Sequence, residues 1–378
     1  METTTPITCS DSYDHQNTQE SCIRGHIIAC GGGADHKDKG GERGLRKKVK
    51  RFFHSKASSN SSGVNSSSVA MASFETSYRG KLTPRPSVVI PATPAAARGG
   101  SNKRALLCGV TYSHEHRYKL KGTANDVSNM KNLLTNTFGY PAECIRILSD
   151  DPFAQDLIPT KKNIENSLKW LVEGCKWGDS LVFYFSGHGL RQPDFQDDEI
   201  DGYDETICPV DFLKEGMILD NDINKTIVWP LKAGVRLHAI VDACHSGTIL
   251  DLEHVYNRKQ RTWINNLPPS GARKSTSGGL AISISACEDD KMAADTTVFT
   301  KKKMNGAMTY ILTEIVKENP QITYGVLLDK MANHIENINS ERWIKSRIIR
   351  KVLRHKTIQE PMLSSSTKFE VYDTKFIL

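Results

Sequence analysis

No apolar run in this chain is long enough to cross a bilayer; the longest, such as Leu181–Phe185, are short. The opening residues lack a basic segment followed by an apolar h-region, so a secretory signal is not expected. Close C-x-x-C pairs are absent too. The nine cysteines, odd in number and without regular spacing, exclude a disulfide scaffold and fit a reducing compartment. No internal repeat is visible. At 38% hydrophobic and 25% charged residues, the 378-residue chain is slightly lean in apolar content, so part of it is not expected to pack. Its length suits about two to three folding units.

A charge excess spread over the whole chain is also missing. Residues 37–56 hold nine Lys and Arg against Asp38 and Glu42, which accounts for the entire formal charge of +7. The pI therefore describes a tail, not the fold. The run Leu45–Arg51 reads either as an address signal or polyanion contact, or as a solvated basic linker, the commoner case. Seven serines crowd Ala57–Ser68, and Pro84, Pro86, Pro91 and Pro94 follow. Such a composition buries too little apolar area to offset chain entropy, so residues 1–102 are expected to form a disordered leader. Cys22, His26 and Cys30 recur within it, but without close thiol pairs they suit zinc poorly.

From Lys103 the patterning changes. Arg104–Val110, Ile145–Leu148, Ser180–Phe185, Val235–Val241 and Leu280–Ser285 read as short buried strands. Between them lie helical stripes: Val127, Met130, Leu133 and Leu134 behind a Thr123 cap, and Ile164, Leu168, Leu171 and Val172 behind Thr160. Ala307–Val316 continues the pattern, followed by a helix capped by Thr323. This alternation predicts an α/β fold whose mostly parallel central sheet is flanked by helices on both faces.

Two strand ends carry chemistry. One strand runs into Ser186-Gly187-His188-Gly189, the other into Asp242-Ala243-Cys244-His245-Ser246-Gly247. Reactive groups gather at the carboxyl ends of parallel strands, where loops present them together. A free thiol is only a few per cent thiolate at neutral pH, so a nearby imidazole helps it attack a carbonyl and then protonates the leaving amine. The backbone N–H groups of Gly189 and Cys244 are the natural oxyanion donors. Taken singly, a buried Cys or His is usually structural; as a pair on strand ends, catalysis is favoured. His245 adjoins the thiol but points apart from it.

These motifs, SGHG after LVFYF and DACHSGT after LHAIV, resemble the histidine and cysteine motifs of the metacaspases, caspase-related peptidases. The resemblance extends from Lys103 to the C-terminus through KGTANDV, DEIDGYDETICPVDF, SISACEDD, NGAMTY and EPMLSSS. A Pro/Ser-rich leader and a short connector match the plant type I arrangement. The resemblance implies a caspase-like sandwich, His188 as general acid/base and Cys244 as nucleophile. It also implies an S1 pocket of Asp126, Ser186 and Asp242 that takes Arg or Lys, since paired carboxylates bind cations and repel a carboxylate.

Seven carboxylates and no Lys or Arg occupy 194–205. Acidic loops are most often simply solvated; the resemblance instead implies an activating calcium ion, with Asp204, Asp220 and Asn221 as ligands. Asn221 stands where the family has a second aspartate, which lowers the charge and the expected affinity. Gly122-Thr123 and Lys291 also depart from the family pattern, Lys291 placing a cation near the expected cleft.

The expected organisation is a 1–102 prodomain, a 103–256 large catalytic region, a 257–278 processing linker and a 279–378 small region of the same fold. Arg258, Lys259, Arg261, Arg273, Lys274 and Lys301–Lys303 are candidate self-cleavage sites. The expected protein is a calcium-stimulated, self-processing cysteine endopeptidase made as a zymogen, with a part in regulated cell death implied by the resemblance alone. A cytoplasmic monomer with nuclear access through its leader is expected, acting on protein substrates without organic cofactor, membrane or specific nucleic acid. The rival readings are a catalytically weak scaffold and a basic-tail nucleic-acid binder.

Overall fold

The computed structural model describes residues 102–151, 157–268, 270–286, 295–296, 305–339 and 361–378. The basic and Ser/Pro-rich leader, Lys291 and Lys301–Lys303 lie outside them.

An eight-stranded sheet organises the described residues. Its strands are β1 (Lys103–Gly109), β2 (Ile145–Ser149), β3 (Ser180–Ser186), β7 (Arg236–Asp242), β8 (His254–Asn257), β9 (Thr262–Asn265), β10 (Leu280–Ser285) and β13 (Met362–Ser365). They lie in the order β2-β1-β3-β7-β10-β13-β8-β9. The first five are mutually parallel, while β13, β8 and β9 run antiparallel to their neighbours. The expected α/β architecture is present, and both ends of the catalytic sequence build one sheet.

The strands read as near-continuous apolar runs because both faces are covered. Successive side chains alternate between the faces. Ala105, Leu107, Val182, Tyr184, Ile240, Ile282 and Ile284 join one core with α1 (Thr123–Asn136), α3 (Ala307–Glu318) and α4 (Tyr324–Asn339). Leu106, Leu181, Phe183 and Leu237 are buried on the other face. There α2 (Lys161–Val172) brings Ile164, Leu168 and Leu171 against β1 and β3.

Thr160 caps α2 as its sequence suggests, its hydroxyl accepting the Asn163 N–H at 3.3 Å. Thr123 does not cap α1. It is already helical, with Gly122 in the cap position, and its buried hydroxyl has no hydrogen-bond partner among the described residues.

A second, three-stranded antiparallel sheet holds β4 (Gly189–Pro193), β5 (Tyr203–Ile207) and β6 (Ile218–Leu219). It leaves directly from the SGHG turn. The stretch read as a polar connector carries β9, hairpin partner of β8. Short strands β11 (Asp295–Thr296) and β12 (Asn305–Gly306) pair and lead into α3. No helix among the described residues is long and apolar enough to cross a membrane.

Candidate active site

The register of β3 against β7 is what brings the two motifs together. Ser186 pairs with Asp242 at the carboxyl ends of the strands, so His188 and Cys244 each lie two residues past a shared edge. The turns are tied by the Gly187 N–H, which donates to the Asp242 carbonyl at 3.3 Å. Gly189 opens β4 directly against the nucleophile turn: a Cβ at this position would overlap the Cys244 carbonyl oxygen. Only glycine permits that approach. His188 and Cys244 are both part-exposed. Residue 245 follows the thiol at φ 48°, a left-handed conformation that a non-glycine residue adopts only when its surroundings impose it.

The His188 imidazole is held from two sides. Its Nε2 lies 2.7 Å from the Tyr118 carbonyl oxygen. A carbonyl can only accept, so Nε2 carries the hydrogen. On the other side the Tyr112 ring lies tilted against it at 4.8 Å, and its hydroxyl accepts the His188 backbone N–H at 3.0 Å while donating to the Cys208 carbonyl at 2.7 Å. Tyr112 is fully buried at φ 51°. Burial pushes its phenol well above the usual range, so it remains a neutral donor.

Beneath this edge sit the two predicted pocket carboxylates. Asp126, in the first turn of α1, is fully buried and accepts the Ser186 hydroxyl at 3.2 Å and the Gly306 N–H at 2.8 Å. Asp242 Oδ2 accepts the Thr309 N–H at 2.9 Å and its hydroxyl at 2.7 Å. The two carboxylates flank Gly306: a Cβ there would overlap Asp242 Oδ2 and come within 2.9 Å of Asp126 Oδ2. The Gly306 and Thr309 donors belong to the N-terminal end of α3, where free amides and the helix dipole favour negative charge. Tyr184 extends the chain, its hydroxyl 2.8 Å from Thr309 Oγ1. Burial, reinforced by the charges of Asp126 and Asp242, raises the Tyr184 phenol well above its ordinary value.

The acidic loop forms a second centre. Asp194, Asp198 and Asp204 each offer a carboxylate oxygen within 4.8 Å of the others. Asn221, from the predicted ligand set, points its amide at Asp198 (3.4 Å) and Asp204 (3.5 Å). Asp220 is turned elsewhere: it accepts the backbone N–H groups of Glu205 at 2.9 Å and Asn221 at 2.8 Å. The carboxylates are poorly compensated. Burial first, then neighbouring carboxylates despite a Gln192 hydrogen bond, push Asp204 up to about 7. Burial and the charge of Glu205 raise Asp220 well above the carboxylate range. Asp194 is the exception, since backbone N–H groups from Glu199, Gln196 and Asp198 outweigh its burial and hold it low. An all-oxygen donor set with an excess of negative charge is of the kind that suits a hard divalent cation. The structure itself supplies a cation nearby: Lys274, 1% exposed, pairs with Glu199 and Asp251.

Lys274 is one of the candidate self-cleavage residues of the connector, and it is buried in an ion pair. Arg258 is engaged as well, lying 3.4 Å from Asp329 and 3.8 Å from Glu336. Sequence reasoning also missed Tyr112, Tyr118, Gly306 and Thr309. The NGAMTY segment was visible as a motif, but its use as a carboxylate cradle depends on where α3 docks.

Fold and site together define an α/β protein that presents a cysteine and a histidine on neighbouring strand ends above two buried carboxylates. A family model described as the metacaspase, peptidase C14 domain matches residues 103–253. Metacaspase-1 of Arabidopsis thaliana is 44% identical over 289 residues, covering 73% of this chain and 78% of that protein. Metacaspase-3 of the same plant is 43% identical over 280 residues, with 73% and 75% covered. Metacaspase-1 of Yarrowia lipolytica is 36% identical over 316 residues, with 73% and 64% covered. The chain belongs to the metacaspase family, and membership implies a cysteine peptidase acting on proteins.

Proposed function

We propose that this chain is a Cys–His endopeptidase that cleaves proteins after Arg or Lys, is made as a zymogen that processes itself, and is stimulated by calcium. The observation that carries the reading is the Ser186–Asp242 register, which sets SGHG and DACHSG side by side above Asp126 and Asp242. In this reading Asp126 and Asp242 supply the negative charge that attracts an arginine or lysine side chain, and the scissile carbonyl rests at the strand ends. With the Nε2 hydrogen committed to Tyr118, proton traffic with the thiol runs through Nδ1. The Cys244 thiolate attacks the carbonyl carbon while the N–H groups of Gly189 and Cys244 receive the developing oxyanion. The imidazolium protonates the leaving amine, and a water molecule then hydrolyses the thioester. Asp194, Asp198, Asp204 and Asn221 would hold calcium, which as a hard divalent cation would offset their mutual repulsion. The regions 103–256 and 279–378 serve as the large and small parts of one catalytic unit, joined by a 257–278 processing linker. The protein acts as a cytoplasmic monomer in a regulated stress or cell-death response.

The test is a peptide library with Arg, Lys or Asp at the scissile position, assayed with and without calcium. Cleavage after Arg and Lys, enhanced by calcium and abolished by Cys244→Ala, is expected. Activity surviving that substitution would refute the nucleophile.

A further inference from the structure

The connector puts one of its lysines where water cannot reach it. Lys274 Nζ lies 2.9 Å from Glu199 Oε1 and pairs also with Asp251 Oδ1, and all three side chains are buried. The segment is pinned on both sides of this residue: the Arg273 guanidinium lies over Trp229, and the Thr276 hydroxyl donates to the Gly279 carbonyl at 2.6 Å. Glu199 belongs to the acidic loop, its backbone N–H donating to Asp194 at 2.8 Å. Taking an ammonium group out of water costs several kcal/mol, and only a site of concentrated negative charge offsets that. Lys274 therefore already meets part of the need for positive charge in this region. A divalent cation among Asp194, Asp198 and Asp204 would sit close to the ammonium in a poorly screened interior, where like charges repel strongly.

We propose that Lys274 is a tethered cation that competes with a divalent cation for the acidic loop, so that metal binding expels the lysine and frees the connector around it. The proposal rests on the calcium reading above and deepens it. The same event that completes the metal centre delivers, in the expelled segment, a basic residue of the kind the active site is read to accept. With Lys274 seated, its side chain is held by Glu199 and Asp251 and is not free to enter the active site.

The test uses full-length, metal-free Cys244→Ala protein, which cannot cut itself. Calcium is titrated calorimetrically into this parent, into Lys274→Met and into Lys274→Arg, and hydrogen exchange of residues 270–276 is followed in the parent with and without calcium. Expected results are at least a tenfold rise in calcium affinity for Lys274→Met, an affinity close to the parent for Lys274→Arg, and faster exchange of 270–276 with calcium. Calcium binding of equal strength in all three proteins would overturn the competition while leaving the calcium reading intact. Absence of calcium binding throughout would overturn both. Should Lys274→Met fail to fold, the exchange arm decides: unchanged or slower exchange in the presence of calcium refutes expulsion.

Discussion

Ser186 and Asp242 face each other across the β3–β7 ladder as the last residues of their strands. In a parallel ladder this register fixes everything downstream. A one-residue slip would carry each side chain to the opposite face, separating the SGHG and DACHSG turns and turning Asp242 away from Thr309.

The carboxylate pair makes the first prediction. Asp126→Asn removes one negative charge from the pocket but keeps a side chain of the same shape. KM for an Arg-ending fluorogenic peptide should rise at least about tenfold, since a charge-assisted contact is replaced by a neutral one. Steady-state kinetics check this; an unchanged KM would place the guanidinium elsewhere.

Tyr112 bridges the His188 amide and the Cys208 carbonyl. Tyr112→Phe keeps the ring beside the imidazole but removes one hydrogen bond from each of the two backbone groups. A stability loss of about 1–3 kcal/mol in denaturant unfolding is expected. A several-fold fall in kcat with little change in KM should accompany it, because the loop carrying the imidazole loses its anchor. A proportional rise in KM would show that the tyrosine shapes substrate binding instead.

Gly189→Ala tests the close approach of the two turns. The added methyl overlaps the Cys244 carbonyl oxygen, so one turn must move. Displacements of about 1 Å cost on the order of a hundredfold in rate, and kcat/KM should fall by at least that much. Circular dichroism should still show a folded protein. Near-normal activity would mean that the nucleophile turn yields freely.

His238 sets an acid limit on the strand that presents Cys244. It is fully buried against the Tyr324 hydroxyl at 2.6 Å, and burial, helped by the charge of Arg236, lowers it to about 3. A depressed folded-state value means that the unfolded chain takes up the proton first. The contribution to stability is complete above about pH 6.5 and declines as pH falls toward 3. By pH 4.5 the loss should be roughly 2–3 kcal/mol. In a Cys244→Ala background, His238→Gln should flatten the dependence of Tm on pH between 6.5 and 4.5. An unaltered slope would assign the acid sensitivity to other groups.

The strand and helix positions were legible because each buried strand is a compact apolar run and each helix repeats its stripe. The two chemical motifs were legible because they sit at the ends of such runs. What remained hidden depends on contacts distant in the sequence. The Tyr118 carbonyl is backbone, and any residue supplies one. Thr309 reaches Asp242 across 67 positions, and Lys274 reaches Glu199 across 75. No local pattern marks Lys274 as different from Arg273 beside it, although one is buried and the other is not. The short strands β4–β6 escaped because their acidic flanks mask the alternation.

The order β7-β10-β13-β8 has a consequence for a severed chain. Were the backbone cut after β9, the C-terminal piece would keep two strands wedged between strands of the N-terminal piece, hydrogen-bonded on either side. The halves would stay interleaved like fingers of clasped hands and sediment as one particle, so scission would change what the protein can do without changing how many bodies it makes.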